Sequence, residues 1–382
     1  MPVRDDQLVE LPGTVRARPP EETWEALRGA LPAYGITRVA RLTDLDVIGL
    51  PTWTAIRPAS LTLSASQGKG LTDDLAKLSA VMEAIELWHV EQPLPVPVRG
   101  RAVDVAPHCP VGALPLNGPV DEAALARVVW DWTPATGLVR GTTMLLPVDL
   151  VRRRTQRGDW SPDLLRATST GLACGNSREE AVLHGLYEMV ERDVLHRDIQ
   201  AGGRLRTWID PGTVDDPAGR EVVERVVRAG MELELALAEG PYGLPVCLAH
   251  LWSEDLPAVF AGAGCHHSPG IALTRAVTEA AQSRLTLIAG TRDDLPGELA
   301  PTGAAPARPA RPTPTPWQRA VQGFAPATGS FAQRVRTTAA AVERVTGHEP
   351  AAITLSSPDG LVPAVHVVCP GTGSRITRTM PR

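Results

Sequence analysis

Two stretches of this chain set a glycine-rich turn directly before a long amphipathic run that carries two carboxylates three residues apart. The first is Ser64-Ala-Ser-Gln-Gly-Lys-Gly70, followed by Glu83-Ala-Ile-Glu86. The second is Ser169-Thr-Gly-Leu-Ala-Cys-Gly175, followed by Glu188-Met-Val-Glu-Arg192. Residues three or four apart share one helix face, so each pair sends both carboxylates the same way. Two such pairs can converge on one site. Hard divalent cations take oxygen ligands, and Mg2+ in phosphate chemistry is held by one or two carboxylates plus phosphate oxygens. The pattern therefore points to Mg2+ and a nucleotide, whereas an isolated ExxE pair reads only as a solvated helix face.

The surrounding pattern predicts an α/β chain, with mixed α+β character, in which sheet packs against long acidic helices. Thr72, with Asp73 and Asp74 behind it, reads as the cap of a helix over 71–91. Ser177 and Glu180 form an S-x-x-E capping pattern that opens a helix to about His196. Residues 268–288 read as a third long helix, and shorter ones are expected at 21–31, 219–229 and 331–345. Strands are expected at 128–132, 144–148, 232–238, 245–252, 352–355 and 363–368. The two glycine-turn-plus-helix units read as a candidate internal repeat. Seven prolines among the 21 residues of 296–316 predict an extended, mobile surface loop within the domain.

Composition closes several alternatives. A net charge of −5 and only two lysines, Lys69 and Lys77, leave no basic footprint for nucleic acid. Neither the polar N-terminus nor any apolar run reads as a signal or a membrane span, so a cytoplasmic protein is expected. Five cysteines without a CxxC pair read as reduced thiols. Cys265-His266-His267 raises the question of a transition metal, but adjacent residues on a strand cannot all face one ion, and no second cluster completes a tetrahedron.

Four ordered blocks resemble the YcaO family of ATP-dependent enzymes that activate backbone amides in ribosomally made peptides. They are Gly35 to Arg38 with Leu45-Asp46 and Ile48 to Pro51; Ser66 to Gly70 through Ser79 to Glu86; Gly171 to Asp193; and Gly264-Cys-His266 with Arg275 to Arg284 and Gly290 to Asp294. The resemblance implies a domain over 35–375, preceded by a short segment at 1–34 and followed by a tail at 376–382. It implies ATP and Mg2+ as cofactors, with Glu83, Glu86, Glu188 and Glu191 as metal ligands. Nucleotide contacts fall to Arg38, Ser66, Lys69, Asn176, Glu180, Arg192, Gln282 and Arg284. No side chain is singled out as a covalent catalyst. Thr170 stands where the family usually has asparagine, in Ser-Asn-Gly.

The chain lacks the Pro-x-Pro-x-Pro tail of many cyclodehydratases. Gly-Lys-Gly-Leu-Thr72, Glu86-Leu-Trp-His89 and Gly264-Cys-His266 are most similar to members that work with TfuA-type partners and install thioamides. The expectations are thus thioamide formation on a precursor peptide, a TfuA-type or leader-peptide-binding partner, and a homodimer. Azoline formation, or a non-catalytic ATP-binding accessory role, is the alternative.

Overall fold

Helix placement follows from capping and burial. In the computed structural model, which describes residues 8–152, 163–290, 312–325 and 328–374, the Thr72 hydroxyl accepts from the Leu75 N–H and starts α2 (Asp73–Val90). Ser177 does the same for α5 (Arg178–Gln200), and Ser268 for α7 (Pro269–Ala289). The remaining helices are α1 (Pro20–Leu27), the short α3 (Ala102–Val105), α4 (Glu122–Arg127) and α8 (Trp317–Val321), and the amphipathic α6 (Pro217–Arg228) and α9 (Phe331–Thr346).

Four sheets accompany them. A hairpin joins β1 (Val9–Leu11) to β2 (Thr14–Arg16), and a three-stranded sheet runs β3 (Arg38–Arg41), β4 (Thr52–Ile56), β5 (Ala65–Lys69). The strands β10 (Arg206–Ile209), β11 (Glu232–Ala238), β12 (Val246–Trp252) and β13 (Phe260–Cys265) form a meander. The largest sheet combines β6 (Val98–Arg101), β7 (Val129–Gly137), β8 (Thr143–Pro147), β9 (Leu172–Cys174), β14 (Ala351–Thr354) and β15 (Ala364–Val368). Every ladder between these strands is antiparallel. The mixed class is therefore of the α+β kind.

One unit recurs three times: a strand, a three-residue step to a Ser or Thr cap, and a long helix folded back on its own strand. The units are β5–Thr72–α2, β9–Ser177–α5 and β13–Ser268–α7. Close packing requires small residues four positions before each cap, namely Gly68, Ala173 and Gly264. A Cβ on Gly68 would lie 2.0 Å from the Ala80 nitrogen of α2, so only glycine lets strand and helix approach this far. Gly171, at φ +85°, turns the chain into β9 where an L side chain would be strained.

The long helices and the six expected strands follow the pattern predicted from sequence. The stretches 64–70 and 169–175, read as glycine-rich turns, instead carry the strands β5 and β9, because their small residues let strand and helix pack closely. Three further differences appear. The helix expected at 21–31 ends at Leu27, and Leu31–Tyr34 forms a tighter 3-10 turn around Pro32. The segment before it adds a hairpin not expected from sequence, β1–β2, which packs on the core. Most of the proline-rich stretch lies outside the described residues, but its end does not behave as a loose loop. Thr315 exchanges backbone hydrogen bonds with Trp208 and Asp210 and so pins the chain to β10. All five cysteines are free and buried.

Candidate active site

The three units close into a ring. Each helix packs on its own strand and on the strand of the next unit: α2 on β9, α5 on β13 and α7 on β5. Equivalent positions therefore meet in the middle. Eleven residues past each cap stand Glu83, Glu188 and Glu279, and fourteen past stand Glu86, Glu191 and Gln282. The third unit thus carries E-x-x-Q where the other two carry E-x-x-E.

Backbone amides hold several of these carboxylates. The Gln67 N–H donates to Glu83 at 3.1 Å, and the Gly171 N–H to Glu188 at 3.0 Å. Across units, the Cys174 N–H of β9 donates to Glu86 of α2 at 2.8 Å. Gln282 of α7 donates to the Gln67 carbonyl of β5 at 2.7 Å. Burial, aided by the neighbouring charges of Glu83 and Glu188, pushes Glu86 up to about 8. Burial also raises Glu191, with Glu279 and Glu188 adding to the rise and Arg192 and Arg275 opposing it. Glu279 goes the other way, because Lys69 and Arg192 outweigh its burial.

Cations face the acids. Lys69 pairs with Glu279 at 3.0 Å, and Arg192 lies 3.5 Å from Glu188 and 3.7 Å from Glu191. Arg16, from the N-terminal hairpin, lies 3.5 Å from Glu180, whose other oxygen accepts from the Ala17 and Asn176 amides. That engagement diverts Glu180 from a reciprocal capping box with Ser177. His184 is held well below its usual range by burial and by the nearby positive charges of Arg275, Arg16 and Lys69. Asn176 accepts a 2.7 Å hydrogen bond from Thr23.

Whether these residues fit a metal and a nucleotide can be judged from polar atoms left unmatched. Ser66 Oγ, Thr170 Oγ1, Arg192 Nε and Arg275 Nε are buried without a hydrogen-bond partner, and all four belong to this ring. Buried polar groups are nearly always paired, so these four unmatched atoms beside the carboxylates are open to a ligand. Five mutually repelling carboxylates beside unmatched guanidinium nitrogens suit a divalent cation bridging to phosphate oxygens. Among the described residues no three His, Cys, Asp or Glu side chains already stand as a single-ion cage. Several of the carboxylates are instead drawn onto backbone amides.

Of the positions suggested by sequence, Ser66, Lys69, Glu83, Glu86, Asn176, Glu180, Glu188, Glu191, Arg192 and Gln282 come together on this ring. Two do not. Arg38 is exposed at the start of the outer strand β3 and forms no ion pair among the described residues. Arg284 is 2% exposed, and its guanidinium is taken up by Asp46 at 3.0 Å, Ser253 at 2.7 Å and Asp255 at 2.8 Å. Sequence reasoning passed over Arg16, Arg275 and Glu279. The signal for the last two was present: Arg275, Glu279 and Gln282 lie at i, i+4 and i+7 on one helix face.

The family profile described as YcaO cyclodehydratase, ATP- and Mg2+-binding, matches residues 67–373. An uncharacterized protein of Mycobacterium tuberculosis is 38% identical over 94% of this chain and 82% of its own length. A protein encoded in the tfuA 3' region of Rhizobium leguminosarum bv. trifolii is 37% identical over 73% of this chain and 69% of its own. The solved structure of YcaO from Methanopyrus kandleri, bound with AMPPCP and Mg2+, superposes with a TM-score of 0.70 at 21% identity. It covers 99% of this chain and 98% of that one.

Proposed function

This chain belongs to the YcaO family of ATP- and Mg2+-binding proteins, and from that premise we propose that it uses ATP to replace a backbone amide oxygen of a peptide by sulfur, with a TfuA-type partner. The observation that carries the reading is the ring itself: three helices bring Glu83, Glu86, Glu188, Glu191 and Glu279 against Lys69, Arg192 and Arg275, with buried polar atoms unmatched. Hydrosulfide bonds to the amide carbon, and the π pair of the carbonyl moves to oxygen. That oxygen takes the γ-phosphoryl group as the bond to ADP breaks. Loss of the S–H proton then expels phosphate and leaves the carbon–sulfur double bond. No covalent enzyme intermediate is required.

Bound Mg2+ supplies charge neutralisation at the phosphates, and Glu83, Glu86, Glu188 and Glu191 are the residues that would hold it. The protein's own contribution is positioning. Arg192 and Arg275 offer unmatched nitrogens to phosphate oxygens, and Lys69 and Arg16 add positive charge at the rim. Gln282 holds β5 against α7, and Asn176 and Glu180 shape the start of α5, where backbone amides favour an anion.

Support for sulfur comes from the relative encoded beside tfuA. The family description itself favours a second reading, azoline formation by a cyclodehydratase, in which a side chain of the substrate is the nucleophile. Mass spectrometry of the reacted peptide separates the two. Thioamide formation adds about 16 Da and needs a sulfur donor, whereas dehydrative cyclisation removes about 18 Da, and both consume ATP. Water loss without a sulfur donor would overturn the thioamide reading.

A further inference from the structure

The third unit differs from the other two at the turn before its cap. Where units one and two have Gly70-Leu71 and Gly175-Asn176, it has His266-His267. Both rings gather around Tyr187 of α5, with centroids 5.0 Å and 5.5 Å from the phenol ring. The Ser268 N–H donates to His266 Nδ1 at 2.9 Å, which leaves the proton of the neutral ring on Nε2. The Tyr187 hydroxyl is hydrogen-bonded to His267 Nδ1. With the phenol donating, the second ring also presents an Nε2–H.

Arg334 of α9 completes the cluster. It is 5% exposed and sits on α9, which packs along α5, the helix of Tyr187. Burial chiefly disfavours protonation of both rings, and the positive charge of Arg334 adds to it. Its Nε donates to the Gly329 carbonyl, but Nη1 is buried with no partner, and no carboxylate pairs with it among the described residues. A buried guanidinium without a counter-charge is costly, and it is stabilised when an anion occupies the gap. The helix α5, which carries Tyr187 directly before Glu188 and one turn before Glu191, links the cluster to the carboxylate ring.

We propose that Arg334, His266 and His267 form a subsite for a small monovalent anion, and, resting on the thioamide reading above, that this anion is the hydrosulfide nucleophile. Arg334, His266 and Tyr187 are buried and His267 is partly buried, and so confined a setting favours a one- or two-atom anion over a peptide carboxylate. The donors are cationic or neutral N–H groups, so hydrosulfide would be held as the anion beside the ring where the amide is activated.

The test uses the whole protein. Crystals soaked in sodium bromide should show an anomalous peak within hydrogen-bonding reach of Arg334 Nη1. Histidine-selective 15N NMR should show sodium hydrosulfide shifting His266 and His267 and displacing bromide. Arg334→Met should weaken hydrosulfide binding by about tenfold or more, without a lower melting temperature, and His267→Gln serves as a second variant should Arg334→Met fail to fold. Bromide that hydrosulfide cannot displace would mean an adventitious ion only and would overturn the subsite. So would unchanged binding in the variants. In turnover, Arg334→Met should raise the KM for sulfide while kcat is kept. Thioamide product with an unaltered sulfide KM would overturn the subsite and leave the function standing. Water loss from the peptide despite hydrosulfide bound at Arg334 would overturn both the proposed function and the role of this anion.

Discussion

Near the C-terminal end of α7, the Arg284 guanidinium meets Asp46, Ser253 and Asp255 and is matched at each nitrogen. Farther back on the same helix, Arg275 leaves a buried Nε unmatched beside Glu279 and Glu191. One helix therefore carries a guanidinium matched at every nitrogen and another with a buried nitrogen left unmatched beside carboxylates. The first kind holds the fold together, because removing one partner strands the other in a poor solvent. The second kind is retained at a cost to stability, which a ligand offsets when it binds. The Arg57–Glu91 pair belongs with Arg284: both side chains are nearly buried, and Ser60 and Thr62 hydrogen-bond to the remaining Glu91 oxygen.

The contrast can be broken most directly at α7. Arg284→Met should cost about 3–5 kcal/mol by denaturant unfolding, because Asp46 is left buried and unpaired. Arg275→Met should cost little. Equal losses would erase the distinction, and weakened nucleotide binding in a folded Arg284→Met protein would return that arginine to the site.

Removing a carboxylate from the ring should have the converse signature. Glu83→Gln or Glu191→Gln is expected to lower peptide-dependent ATP turnover by about a hundredfold or more, with the melting temperature unchanged or raised. Unchanged turnover would remove the metal assignment.

Acid–base behaviour should also differ in sign. Glu86 has its folded-state value raised to about 8, so its contribution to stability is present below the ordinary glutamate range and is lost as pH climbs toward 8. In chelator-treated protein, stability should therefore fall over that interval, and Glu86→Gln should flatten the fall. Thermal melts across pH with and without Mg2+ and ATP would read it. A flat profile in the wild-type protein would mean that Glu86 is already compensated.

The last contrast concerns only the pH dependence at Glu91, apart from the loss at neutral pH that stranding Arg57 would cause. Arg57 and the hydroxyl donors outweigh its burial and hold its carboxyl below the usual range, so its stabilisation is present above that range and lost as pH falls through the folded-state value. Glu91→Gln should show a shallower acid limb. An identical acid limb would place the loss elsewhere.

Much of this was legible without a structure, where the signal is local. Thr72 and Ser177 cap helices because a side-chain oxygen meets an amide three residues on, and helical periodicity does the rest. Glu83, Glu86, Glu188 and Glu191 stood out because two carboxylates three apart must share a face. The third unit was hidden because Gln282 breaks the ExxE pattern, although the spacing from cap to Glu279 repeats that of the other two. Arg16 was hidden because its hairpin reaches Glu180 across 164 positions of chain.

What sequence determined by itself, then, was the set of long helices and their acidic faces, consequences of neighbours within a few residues. The closure of three units into one ring, the assignment of Glu86 to a β9 amide, and the division of arginines into paired and unpaired were decided by tertiary structure alone. The reason is physical: whether a buried charge finds its partner depends on chain segments far apart in sequence, and no local pattern encodes which of them will meet.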